Sequence, residues 1–249
     1  MKVNALIAGV QKGGTTALFH FLRQHPDICV PTGNRKELHF FDDEGAFLNP
    51  SPHYRPYEAL FPASACSVLL EATPIYSYWA PSAERIAAYN SAMRLVLILR
   101  DPVERAYSQW EMEFSRGSTS RAFADEIASE LRRLETDPSG QDRVSSYVAR
   151  GFYGAQIQRL LAHFPIEQLL ILRTEDLRER QRQSLNMVTD FFGINRFDRY
   201  PPSLVVTPTV KSSTLPPLDT ELANGLRKLF CSDLALLNRL TNLPVADWI

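Results

Sequence analysis

The chain has 249 residues, 45% of them hydrophobic, and a formal net charge of −1. That is enough to bury one large core, and the near-zero charge excludes a general nucleic-acid or membrane-surface binder that works by bulk electrostatics. The three cysteines, Cys29, Cys66 and Cys231, are widely spaced and form no CxxC pair, so the expectation is no zinc site, no disulfide framework and a reducing cytosol, with each cysteine a small core residue.

In chain order, residues 3–10 read as a buried strand, and the apolar run within it is too short for a signal-peptide core. No stretch approaches transmembrane length, so a cytoplasmic protein without a membrane anchor is expected. A Gly-rich turn at 11–16 leads into a helix over 16–24, ended by His25-Pro26-Asp27, since proline cannot continue a helix. Residues 28–30 and 66–71 read as further strands. Ser82 is a candidate N-cap for a helix to about Tyr89. The run 94–99 (RLVLIL) is a continuous apolar strand of the buried parallel type. Asp101-Pro102-Val103-Glu104 then offers an N-cap, a proline at N1 and a glutamate at N3, which predicts a helix to about Phe114.

Further along, 123–134 reads as helical, 147–164 as an amphipathic helix weakened by Gly151 and Gly154, and 168–172 as a strand. Residues 182–192 form a helix stopped by Gly193. Residues 200–218 are proline-rich and irregular, and two terminal helices are expected, from Asp219 to about Phe230 and from Asp233 to Leu240. The run Arg178-Glu179-Arg180-Gln181-Arg182 reads as a solvated helix face. Strands alternating with helices predict one α/β domain over 1–249, with a P-loop-like, mostly parallel sheet and helices on both faces. Ligands bind such sheets beyond the carboxyl ends of the strands.

The first turn reads Gly9-Val10-Gln11-Lys12-Gly13-Gly14-Thr15-Thr16. A Gly-rich turn between strand and helix presents backbone N–H groups and a helix dipole to an anion. A nucleotide triphosphatase loop would read G-x-x-x-x-G-K-[ST]. Gly9 and Gly14 have that spacing, but Thr15 occupies the lysine position and Lys12 sits inside the loop. The turn therefore suits a phosphate-like group held by a cation from within, with no metal required.

Gln11-Lys12-Gly13-Gly14-Thr15-Thr16-Ala17-Leu18 resembles the 5′-phosphosulfate loop of sulfotransferases that use PAPS (3′-phosphoadenosine 5′-phosphosulfate). The nearest likeness is to the group containing heparan sulfate N-sulfotransferase, the glucosaminyl 3-O-sulfotransferases and many bacterial enzymes. The resemblance implies that Lys12 contacts the bridging oxygen of the phosphosulfate and that Gly13, Gly14, Thr15 and Thr16 hold the 5′-phosphate. Residues 95–108 (LVLILRDPVERAYS) are similar to the family's 3′-phosphate segment, with Arg100 and Ser108 as its contacts. A guanidinium leaving the sheet at its carboxyl edge suits a phosphate independently of that likeness. In the family the region after the last strand covers the nucleotide, and Lys211 is the candidate here.

Lys36-Glu37-Leu38-His39-Phe40-Phe41 resembles the family segment that carries the catalytic carboxylate. By that resemblance Glu37 is the base, Lys36 lies near the sulfuryl group and His39 near the acceptor. From the residues alone, a carboxylate, a lysine and a histidine before two phenylalanines form a polar cluster at an apolar wall, which can raise a glutamate pKa toward a useful range. If the segment is extended, Glu37 and His39 share a face. His39 is a rival base, and a solvated charge cluster is the plainer alternative. Glu71-Ala72-Thr73-Pro74-Ile75-Tyr76 and 151–177 also look like family segments. Heparan-modifying relatives carry a lysine where this chain has Ala72, which, with the slightly negative net charge, weakens a polyanionic acceptor. The implied activity is sulfuryl transfer from PAPS to a hydroxyl or amine of a sugar or small molecule. A P-loop kinase or NTPase and a catalytically silent nucleotide-binding scaffold are the alternatives.

Overall fold

The computed structural model describes residues 2–49, 51–63, 66–138, 140–203 and 215–249; Lys211 lies outside them. In chain order the elements are β1 (Ala5–Gly9), α1 (Thr15–Leu22), β2 (Ile28–Cys29), α2 (Arg55–Glu58), β3 (Val68–Ala72), α3 (Ala80–Tyr89), β4 (Arg94–Leu99), α4 (Pro102–Ser115), α5 (Phe123–Thr136), α6 (Tyr153–Leu161), β5 (Leu169–Arg173), α7 (Thr174–Glu179), α8 (Gln181–Phe192) and α9 (Thr220–Thr241). The chain divides into two compact units, 1–99 with 159–204, and 100–158 with 205–249.

The first unit holds a five-stranded sheet in the order β2-β3-β1-β4-β5. Among the described residues every pairing is parallel, so the sheet is wholly rather than mostly parallel. Buried parallel strands need no polar face, which is why β1, β3 and β4 read as apolar runs. One face is covered by α1 and α8. Leu18, Phe19 and Leu22 meet Ile7, Leu70, Val96 and Ile98 there, with Leu185, Val188 and Phe192 in the same cluster. The opposite face carries aromatic residues around a buried carboxylate, with Tyr57 and Tyr76 bonded to Glu71 of β3. The chain runs outward from β1 to β2, returns through β3, and crosses β1 to reach β4. That reversal is a topological switch point, so the carboxyl end of β1 is where a ligand crevice belongs.

Cys29 and Cys66 form a disulfide, Cα to Cα 5.8 Å, across 37 positions of sequence. This corrects the expectation of three unpaired cysteines. Spacing along the chain hid the pairing, because β2 and β3 are neighbours in register, Ile28 opposite Val68 and Cys29 opposite Leu69. Only Cys231 is free. Closing a loop of that length removes denatured-state entropy amounting to roughly 3–4 kcal/mol in the chain-entropy account.

In the second unit, α4 starts as expected. Asp101 caps it, accepting from the N–H groups of Val103 and Glu104 at 2.8 and 3.1 Å. Three other expectations are corrected, the first of them in the first unit. The N-cap of α3 is Trp79, and Ser82 lies inside the helix, donating to the Phe41 carbonyl. The helical pattern of 147–164 is broken: a 3₁₀ turn occupies Ala149–Gly151, and α6 begins only at Tyr153. The two expected terminal helices are one, α9, because Asp233 is not a cap of its own helix. It turns instead to accept from the N–H groups of Gly154 and Ala155 at 2.7 and 2.9 Å, at the start of α6. Among the described residues no helix is long and apolar enough to cross a membrane.

Candidate active site

The turn after β1 is built from backbone, and its neighbours leave little freedom. The Val10 N–H donates to the Ile98 carbonyl at 3.1 Å, and the Gly13 N–H to the Val10 carbonyl at 3.0 Å. Thr174, at the end of β5, donates its hydroxyl to the Gly13 carbonyl at 2.6 Å and lies 3.0 Å from the Leu99 carbonyl. A Cβ on Gly13 would stand 2.1 Å from the Ile98 carbonyl oxygen, so no side chain fits there. Gly14, at φ 100°, caps α1 in the left-handed region that favours glycine. Lys12 also has positive φ, 70°, a conformation a non-glycine residue keeps only where its surroundings enforce it.

The first N–H groups of a helix have no intrahelical partner. The first turn of α1 carries no acidic residue to occupy them, and Thr15 and Thr16 add hydroxyls. The cradle therefore fits an anion of phosphate size: oriented N–H groups, two threonines and one lysine, on a turn that glycine alone permits. Lys12, Gly13 and Gly14 lie in this turn, and Thr15 and Thr16 open α1.

Lys36, Glu37 and His39 also come together, and they recruit a fourth group. Lys36 Nζ lies 2.7 Å from Glu37 Oε1, and His39 Nε2 3.4 Å from Glu37 Oε2. On its other side His39 Nδ1 lies 3.0–3.1 Å from both oxygens of Asp42, whose side chain is fully buried. With a carboxylate at each ring nitrogen, His39 is held as imidazolium: the bonds to Asp42 and then Glu37 raise its pKa to about 9. Burial pushes the Glu37 pKa upward, but His39 and Lys36 outweigh it and bring it down to about 2. The expectation that an apolar wall raises the Glu37 pKa is thus reversed by the two adjacent cations. The wall itself exists, with Phe40 stacked on Tyr57 at 4.7 Å and Phe41 edge-on to Tyr76 at 5.5 Å. The segment is not extended at His39, where φ is 54°.

Asp42 was not singled out by the sequence reading. Its signal was present, three residues beyond His39, but acidic residues at that spacing are common. The support beneath was less legible still. Glu71 is fully buried and accepts from Tyr57, Thr73 and Tyr76 hydroxyls at 2.5, 2.6 and 2.7 Å. Burial raises its pKa against those bonds. The Thr73 and Tyr76 oxygens in turn accept from the N–H groups of Leu38 and Phe40 at 3.1 and 3.0 Å. One carboxylate thereby sets the two hydroxyls that hold the Glu37–Phe40 backbone.

In the second unit Arg100 follows β4 directly, and Tyr153 donates its hydroxyl to the Arg100 carbonyl at 2.9 Å. The guanidinium has a partner: Nε and Nη2 lie 3.2 and 3.0 Å from Glu104 Oε2. Glu104 therefore turns to Arg100 instead of closing a capping box. A partly exposed pair of this kind is worth about 0–1 kcal/mol. Ser108 sits half-buried on α4, two turns on. Among the described residues no cluster of three His, Cys, Asp or Glu is arranged to hold a metal ion.

The family model described as Sulfotransferase domain matches residues 2–209. Heparan sulfate glucosamine 3-O-sulfotransferase 3B1 of Homo sapiens is 32% identical over 197 residues, 77% of this chain and 46% of that protein. Heparan sulfate glucosamine 3-O-sulfotransferase 5 of Mus musculus is 28% identical over 195 residues, 76% of this chain and 53% of that protein. The chain spans about half the length of these curated relatives. Among solved structures, a sulfotransferase from Alicyclobacillus acidocaldarius superposes with a TM-score of 0.82 at 26% identity, covering 100% of this chain and 99% of the other. The sulfotransferase domain from the Synechococcus PCC 7002 olefin synthase shares the fold, with a TM-score of 0.56 at 16% identity and 98% of each chain covered.

Proposed function

The chain belongs to the sulfotransferase family, and from that membership we propose that it acts as one sulfotransferase domain moving a sulfuryl group from PAPS to a hydroxyl or amine of a carbohydrate or small molecule. The observation that carries the reading is the turn after β1. It is shaped for an anion, its cation comes from Lys12 inside the loop, and Gly13 is packed against Ile98 with no room for a side chain. A kinase or NTPase is not favoured, since Thr15 stands where its lysine would be.

PAPS, when bound, supplies the sulfuryl group and the 3′,5′-bisphosphate leaving group. In this proposal Gly13, Gly14, Thr15 and Thr16 hold the 5′-phosphate and Arg100 and Ser108 the 3′-phosphate, with Lys211 covering the nucleotide. Lys12 and the loop N–H groups meet the negative charge that develops on the leaving oxygen. Lys36 lies on the sulfuryl side. Glu37 takes the proton that the acceptor loses as its oxygen or nitrogen bonds to sulfur. The geometry supports Glu37 over His39 in this role: with a pKa near 9, His39 is already protonated at neutral pH and cannot accept a second proton, whereas Glu37 is ionised. His39 then orients Glu37 and faces the acceptor. Names of the relatives point to a carbohydrate acceptor, while Ala72 and the net charge of −1 favour one that is not a long polyanion. The same proposal places the protein in the cytoplasm and gives it no nucleic-acid partner.

The test is mass spectrometry of a panel of sugars and hydroxylated or amine-bearing small molecules incubated with PAPS, with and without EDTA. Sulfated product that survives EDTA is expected. Strict magnesium dependence together with nucleotide hydrolysis would return the kinase reading.

A further inference from the structure

The disulfide encloses the whole acceptor-side cluster. Lys36, Glu37, His39 and Asp42 all lie between Cys29 and Cys66, as do Phe40, Phe41 and Tyr57 of the aromatic wall. No residue of the 11–16 turn does. The strand pairing that the bridge reinforces is slight: β2 has two residues and matches β3 at two positions. Both half-cystines are half-buried, so an exchange partner can reach them. The 11–16 turn is tied elsewhere, to Ile98 and Thr174.

We propose that Cys29 and Cys66 form a thiol–disulfide exchange site through which a dithiol reductant loosens the acceptor segment while leaving the nucleotide loop unchanged. In the exchange a reductant thiolate attacks one sulfur and the Cys29–Cys66 bond breaks. The second reductant thiol then resolves the mixed disulfide. Two electrons and two protons pass to the cysteines, and the reductant leaves as its own disulfide. The consequence for acceptor turnover rests on the sulfotransferase reading; the structural consequence does not.

The full-length protein is poised in buffers of reduced and oxidised dithiothreitol. Alkylation then counts its thiols, and hydrogen-exchange mass spectrometry follows peptides over 35–49 and 5–22. One alkylated cysteine is expected in the oxidised state and three in the reduced. On reduction the 35–49 amides should exchange about tenfold faster or more, with 5–22 unchanged and the affinity for PAP, the desulfated nucleotide, within about twofold. Cys66→Ser should show two alkylated cysteines and the reduced exchange rates at every potential. Three thiols under all conditions, equal exchange of 35–49 in both states, or parallel loosening of 5–22 would each overturn the proposal. Failure of PAP to bind in either state would instead count against the nucleotide site, leaving the exchange result to judge this inference.

Discussion

The 11–16 turn and the 36–42 segment, both in the first unit, are stabilised in opposite ways. The 11–16 turn is made of backbone: its shape follows from Gly13 packed on Ile98, Gly14 at positive φ and a carbonyl bonded by Thr174. The 36–42 segment is made of side chains. Its position depends on Glu71, Thr73, Tyr76 and Asp42, and on a disulfide at its base. A backbone cradle offers the same contacts whatever the side chains around it, whereas a side-chain assembly can be altered residue by residue. The difference teaches that donor binding and acceptor chemistry should be separable by mutation.

The largest effect expected is on turnover. Glu37→Gln keeps the shape and removes the basicity, and a positioned base contributes ~10²–10⁴-fold. Steady-state kinetics should show kcat lower by a factor in that range, with PAP affinity nearly unchanged by calorimetry. His39→Asn should cost less and act partly through acceptor KM. Full turnover in Glu37→Gln with none in His39→Asn would reverse the two roles.

Next comes the donor. Arg100→Ala should weaken PAP binding by about ten- to a hundred-fold, the value of a lost charge-assisted contact of ~1.5–3 kcal/mol. Affinity for adenosine 5′-phosphate, which lacks the 3′ group, should hardly change. Because wild-type Arg100 already pairs with Glu104, Glu104→Gln offers a sharper comparison: it frees the guanidinium and should leave PAP binding no weaker. Equal affinity of wild type for the two nucleotides would remove Arg100 from the site.

Gly13→Ala breaks the comparison from the backbone side. Its Cβ would meet a carbonyl oxygen at 2.1 Å, and overpacking of that kind costs typically about 1–3 kcal/mol. Denaturant unfolding should show the loss of stability, and PAP affinity should fall with it. An unperturbed turn would mean that the backbone there is looser than its contacts indicate.

These two regions also differed in how far the sequence disclosed them. Glycines at 13 and 14, a lysine inside the turn and a parallel-type strand at 94–99 are local signals, and the cradle and the sheet follow from them. Asp101 as a helix cap is local too, and it holds. What stayed hidden required distant residues to meet. Cys29 and Cys66 pair because β2 neighbours β3. Asp233 turns to α6 and so merges two expected helices into α9. Glu71, apolar in its burial and polar in its bonds, supports a segment more than thirty positions away. The direction of the Glu37 pKa was misjudged for the same reason: the wall was legible, and the competition between burial and two cations was not.

The smallest expected effect is a pH signature of the acceptor cluster. Glu37 is depressed from 4.5 to about 2, so its share of stability is present above 4.5 and is lost as pH falls through about 2. His39 is raised from 6.5 to about 9, so its share is present below 6.5 and is lost as pH rises through about 9. Both shares are complete only between 4.5 and 6.5. The side chains of His39 and Glu37 are 47% and 40% exposed. Solvent screening therefore discounts the pair, and the effect on Tm should be a few degrees at most. His39→Asn is the suitable comparison, because asparagine tolerates the positive φ of this position and the titrating ring is removed. By scanning fluorimetry from pH 3 to 10, the Tm gap between wild type and His39→Asn should be widest in that window. It should narrow on the acid side as Glu37 protonates and on the alkaline side as His39 loses its proton. A gap constant across the range would mean that His39 carries no charge-dependent bond to Glu37 or Asp42. The reason for preferring Glu37 over His39 as the base would then be gone.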